Sequence, residues 1–130
     1  MPVPEEFKEG AKRVLVVEDD AAVAGVIKRS LSRAGFEVTV AEDGFKAGTL
    51  LGTLRPAVMT VDLRMRGVSG LDVVKLVRGS PRLAGVRVLV VSAMPREQLQ
   101  EALDAGADDI LEKPFEPEVL VKKVGKLAGL

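Results

Sequence analysis

Five short apolar runs, separated by stretches of helical period, constrain this chain more than any other feature. The runs are Arg13-Val-Leu-Val-Val17, Phe36-Glu-Val-Thr-Val40, Ala57-Val-Met-Thr-Val61, Val86-Arg-Val-Leu-Val-Val91 and Asp109-Ile-Leu-Glu112, all of strand length. Between and after them, apolar residues recur at helical spacing: Val23, Ile27, Leu31 and Ala34; Ala47, Leu50, Leu51 and Leu54; Leu71, Val74 and Val77; Leu99, Ala102 and Leu103; Leu120, Val124 and Leu127. Strands alternating with helices imply a mostly parallel sheet, because parallel neighbours need a crossover and a right-handed helix supplies it. The expected class is α/β, a three-layer (βα)5 sandwich with helices on both sheet faces.

Punctuation supports these divisions. Asp20 or Asp19 caps the first helix and Gly35 stops it, Pro56 ends the second, and Gly106 closes the fourth. The first, third and fourth runs are nearly all apolar and should be central. The second alternates apolar with polar, as an edge strand does. This ranking agrees with a flavodoxin-like strand order of 2-1-3-4-5, in which ligands bind beyond the carboxyl ends of the strands, where strand order reverses between the first and third.

The residues delivered to that edge carry chemistry. Glu18 and Asp19 follow the first strand, Asp62 the third, Ser92 ends the fourth and Lys113 follows the fifth. Three carboxylates at close quarters repel and call for compensating positive charge. A hard divalent cation such as Mg²⁺ suits a site of few carboxylates plus waters and phosphate, and Lys113 adds a further positive charge.

Composition excludes much else. Cysteine and histidine are both absent from the 130 residues, which removes disulfides, Cys or His zinc sites, and every triad with a His base. Nineteen basic and nineteen acidic side chains cancel, so no direct nucleic-acid contact is expected. No apolar stretch approaches membrane-spanning length and the first residues lack a signal pattern, so no membrane insertion and a cytoplasmic location are expected. Residues 1–11, with two prolines and no clear period, read as an N-terminal tail or linker before a domain over 12–130.

The motifs Val16-Val-Glu-Asp-Asp20, Val61-Asp-Leu-Arg-Met65 with Gly70, Val90-Val-Ser-Ala93, Ala105-Gly-Ala107 and Glu112-Lys-Pro-Phe115 resemble the receiver domain of two-component response regulators over about residues 12–128. That resemblance implies that Asp62 is the phosphoacceptor, and that Glu18, Asp19, Asp62 and the backbone carbonyl of Arg64 hold Mg²⁺. It implies that Ser92 hydrogen-bonds the phosphoryl group, that Lys113 pairs with it, and that the Lys113–Pro114 bond is cis. The implied donor is a histidine kinase or a histidine phosphotransfer domain. The output partner or output domain would be reached through the fourth helix, fifth strand and fifth helix, the chain being a monomer or weak homodimer.

Three residues depart from the family pattern: Arg66 stands where proline is usual, Ile110 where Tyr or Phe is usual, and Met94 is bulky for its place. The main rival reading is a receiver-like interaction module that works without phosphorylation. A hydrolase of the haloacid dehalogenase type would need a second Asp where Arg64 stands. A flavin or nucleotide carrier would need a Gly-rich cradle instead of the acidic loop after the first strand.

Overall fold

A computed structural model describes residues 13–130. The expected tail at 1–11, and with it the boundary at residue 12, lies outside the described residues. Strands β1 (Arg13–Val17), β2 (Glu37–Ala41), β3 (Val58–Val61), β4 (Arg87–Ser92) and β5 (Asp109–Glu112) alternate with helices α1 (Ala21–Arg33), α2 (Gly44–Leu54), α3 (Gly70–Gly79), α4 (Arg96–Asp104) and α5 (Pro117–Leu127). A 3₁₀ turn over Pro81–Leu83 lies within the connection from α3 to β4. All strand pairs are parallel, in the order β2-β1-β3-β4-β5. The α/β sandwich and its strand order are those expected.

Side chains alternate along each strand, so the sheet feeds two cores. Leu15, Val17, Met59, Val61, Val88 and Val90 pack beneath α2, α3 and α4, against Ala47, Leu51, Val73, Val74, Val77, Leu99 and Ala102. Val14, Val16, Val58, Leu89 and Val91 pack beneath α1 and α5, against Ile27, Leu31, Leu120 and Val124. Each fully buried Leu or Met contributes about 2 kcal/mol by leaving water, which is why these positions dominate the fold.

Helix details refine the expected faces. Ala24 and Val73 are buried core residues that the periodic readings passed over, whereas Ala34 is exposed at the C-cap of α1. A C-cap residue lies beyond the last helical turn, so the periodic stripe no longer applies to it. The N-cap of α1 is Asp20, whose Oδ1 accepts from the backbone N–H groups of Ala22 at 2.9 Å and Val23 at 3.2 Å. Asp19 is thereby left free of capping.

Register decides what meets at the strand ends. Val17 is level with Ala41 and Val61, Val61 with Val90, and Ser92 with Glu112. The residues immediately after these positions therefore emerge along one edge of the sheet.

Candidate functional site

Backbone hydrogen bonds carry the sheet one step into the loops at that edge. Glu18 N–H donates to the Ala41 carbonyl at 3.0 Å, Asp62 N–H to the Val17 carbonyl at 3.1 Å, and Lys113 N–H to the Ser92 carbonyl at 3.0 Å. Glu18, Asp62 and Ser92 are all buried, the unusual state for charged or hydroxyl side chains unless they are partnered.

The partner is Lys113. Its Nζ donates to Glu18 Oε1 at 2.8 Å and to Asp62 Oδ2 at 2.9 Å, so one ammonium from β5 spans acids delivered by β1 and β3. The remaining oxygens are held by backbone: Glu18 Oε2 accepts from Asp20 N–H at 3.2 Å and Asp62 Oδ1 from Arg64 N–H at 3.1 Å. Ser92 Oγ accepts from Met94 N–H at 3.3 Å. The Lys113–Pro114 peptide is cis, as the resemblance implied.

Gly70 is demanded by this arrangement. Its N–H donates to the Leu63 carbonyl at 3.1 Å, and a Cβ there would collide with the Asp62 carbonyl, so only glycine lets α3 start this close beneath the Asp62 loop.

The electrostatics follow from burial. Burial pushes the Glu18 carboxyl above its ordinary value near 4.5; the hydrogen bond from Lys113 opposes this and the neighbouring Asp62 reinforces it. Burial also disfavours the Lys113 ammonium, but its hydrogen bonds to Glu18 and Asp62 prevail and hold it above its ordinary 10.5. The two shifts differ in kind because Lys113 gains two acceptors, while the more deeply buried Glu18 must share one ammonium.

Asp19 stands apart. Its Oδ2 accepts from the Arg66 backbone N–H at 3.2 Å, with Arg66 Nε 3.7 Å away. Open clefts of about 550 and 470 Å³ flank it, one toward Asp43 and Phe45 and the other toward Asp20 and Arg64. Among the described residues no group of three acidic side chains is arranged as a metal cage. Lys113 bridges two of the expected ligands, and the Arg66 amide is bound to the third. The donor set itself, three carboxylates and a carbonyl, is all hard oxygen and matches Mg²⁺ chemically. The Asp19–Arg66 contact escaped sequence reasoning because its donor is a backbone amide; its only signal was that residue 66 is not proline.

Ile110 is half-buried and packs with Met94, Leu103 and Ala105 against the core beneath α4. Of the residues expected at this edge, the structure brings Glu18, Asp62 and Lys113 into direct contact, with Ser92 joined to Lys113 through main chain, while the Asp19 side chain contacts Arg66 instead.

The family described as response regulator receiver domain matches residues 14–125. The chain belongs to that family. It is 38% identical over 115 residues to the response regulator MprA of Mycobacterium tuberculosis, covering 88% of this chain and 50% of that protein. It is 34% identical over 116 residues to the DNA-binding dual master transcriptional regulator RpaA of Synechocystis, covering 88% and 48%. This receiver chain therefore spans about half the length of the curated relatives it matches. Among solved structures, the receiver domain of a response regulator from Bermanella marisrubri superposes with a TM-score of 0.83 at 44% identity, over 89% of this chain and 97% of that one. No helix among the described residues is long and apolar enough to cross a membrane.

Proposed function

We propose that this receiver domain, over residues 12–130, accepts a phosphoryl group on Asp62 from a phosphohistidine of a histidine kinase or histidine phosphotransfer domain. The observation that carries the reading is the Lys113 ammonium bound at once to Glu18 and Asp62 in a buried pocket. A carboxylate so placed is a nucleophile with a counter-charge already beside it. In the transfer, an Asp62 oxygen forms a bond to phosphorus as the phosphorus–nitrogen bond to imidazole breaks, and the departing imidazole takes a proton from water. Lys113 then turns its hydrogen bond to the incoming phosphoryl oxygens, and the Ser92 hydroxyl donates to another.

Glu18, Asp19, Asp62 and the Arg64 carbonyl would hold Mg²⁺, which supplies charge neutralisation at the phosphoryl oxygens. Attack of water on the aspartyl phosphate would release inorganic phosphate and restore the Asp62 carboxylate, an autodephosphorylation. With Ile110 in place of an aromatic ring, the signal would pass by a population shift in the Ser92–Pro95 loop and the α4, β5 and α5 face, toward an output domain or partner. The name of the Synechocystis relative includes DNA binding; the balanced charge of this receiver domain supports output through protein contacts and no nucleic-acid contact by the domain itself, and we place it in the cytoplasm as a monomer or weak homodimer.

Incubation with Mg²⁺ and acetyl phosphate, followed by intact-mass spectrometry, tests the reading. One phosphoryl group is expected on the wild type and none on Asp62→Asn. No phosphoryl adduct on the wild type would favour the interaction module that works without phosphorylation, a reading that the Asp19–Arg66 contact also supports.

A further inference from the structure

The reading above gives Asp19 to Mg²⁺, yet its carboxylate oxygen Oδ2 is already committed to the backbone N–H of Arg66. That donor exists only because residue 66 is not proline, since proline has no N–H. We infer that the Arg66 amide is a latch that competes with Mg²⁺ for Asp19, so that metal loading and release of the Asp62–Arg66 loop are one coupled step. This rests on the proposed Mg²⁺ site and adds a positioning role for a residue outside it.

Three features carry the coupling. The latch joins the loop after β1 to the loop after β3 and is the hydrogen bond that the Asp19 side chain makes among the described residues, so loss of that bond separates the two loops at this point. Arg66 is followed by Gly67 at φ +78°, a left-handed position that favours glycine and from which the loop turns toward α3. The Arg66 side chain is 92% exposed with Nε 3.7 Å from Asp19, so the guanidinium is a weak, salt-screened auxiliary and the amide is the specific contact.

Backbone and side-chain contributions separate cleanly by substitution. Arg66→Pro removes the amide donor and the guanidinium; Arg66→Ala removes only the guanidinium. Mg²⁺ affinity measured by isothermal titration calorimetry should rise about three- to tenfold in Arg66→Pro, the range expected for loss of one competing hydrogen bond of ordinary net strength at a solvent-accessible site. In Arg66→Ala the rise should be less than about twofold. Equal affinities in wild type and Arg66→Pro would overturn the latch, as would an Arg66→Ala gain as large as the proline gain.

The wild type provides a readout independent of any variant's folding. In a Mg²⁺ titration followed by ¹H–¹⁵N NMR, the Arg66 amide should move upfield and exchange faster with solvent, in step with the Glu18 and Asp62 amides. If those two respond and Arg66 stays fixed and protected, the latch is wrong and the metal site stands. If none of the three responds at saturating Mg²⁺, the metal site and the latch fail together.

Discussion

The two ends of the sheet hold polar clusters of similar size and opposite design. At the carboxyl end, one lysine serves two buried carboxylates, so negative charge is left in excess. At the other end Arg78 of α3 donates from Nε to the Gly106 carbonyl at 2.7 Å and from Nη2 to Asp108 Oδ2 at 2.6 Å. Asp108 Oδ2 in turn accepts from Val88 N–H at 2.7 Å, and Arg87 stands 3.7 Å from Oδ1. There two guanidiniums face one carboxylate, the Arg78 donors form a planar fork fixed in direction, and the Gly106 carbonyl and Val88 amide tie the cluster to the main chain. The lower cluster is a clamp between α3, β4 and β5, with Gly106 at φ +121° where a Cβ would strike the Arg78 side chain. A flexible ammonium between two acids is suited to exchanging partners; a guanidinium fork anchored to main chain and carboxylate is suited to holding still.

The largest expected effect comes from breaking the upper cluster at its bridge. Lys113→Met should slow phosphoryl uptake from acetyl phosphate about a hundredfold or more, the scale found when one preorganised donor is removed from a reacting oxyanion. Intact-mass time courses at fixed Mg²⁺ measure it, and a rate within a factor of three of wild type would show that the bridge has no part in the transfer.

The converse substitution at the clamp should spare chemistry and cost stability. Arg78→Met leaves Asp108 with backbone and a more distant Arg87, and should lower stability by about 2 kcal/mol, or roughly 5–10 °C in Tm. Thermal unfolding by circular dichroism measures this, and the phosphorylation rate should stay within about twofold of wild type. A rate that falls with stability would mean the two ends are not independent.

Sequence patterns reveal these two ends unequally. The upper cluster was readable because four of the five strands each deliver a chemical group to the same edge: Glu18, Asp62, Ser92 and Lys113 stand at the ends of β1, β3, β4 and β5, and parallel topology does the rest. The clamp was invisible, since Arg78 at helical period reads as a solvated surface charge and its partners lie 28 and 30 residues away. The diversion of Asp19 was hidden for another reason, its donor being main chain, which every residue but proline carries. Ala24 and Val73 were missed because a periodic stripe marks the middle of a buried face better than its margins.

The smallest effect sharpens the contrast through pH. Burial raises the folded-state value for Glu18, so folding favours its protonated form. Its stabilising contribution is therefore complete below its ordinary value near 4.5 and is lost as pH rises through the raised folded value. Without Mg²⁺, acidification from pH 7 toward that folded value should move the urea midpoint upward relative to Glu18→Gln, which has no such proton to gain. Lys113 acts at the other limit: its contribution is complete below about 10.5 and lost as pH rises through its raised value, so it leaves the neutral-to-acid window unaffected. Bound Mg²⁺ should reverse the acid trend, because the metal takes only the ionised carboxylate and protons then compete with it, weakening affinity by at most about tenfold per pH unit. Parallel pH profiles for wild type and Glu18→Gln without metal would place the origin of the acid dependence outside this edge of the sheet. Diverging profiles that converge when Arg78→Met is introduced would show that the clamp and the upper cluster share one cooperative network.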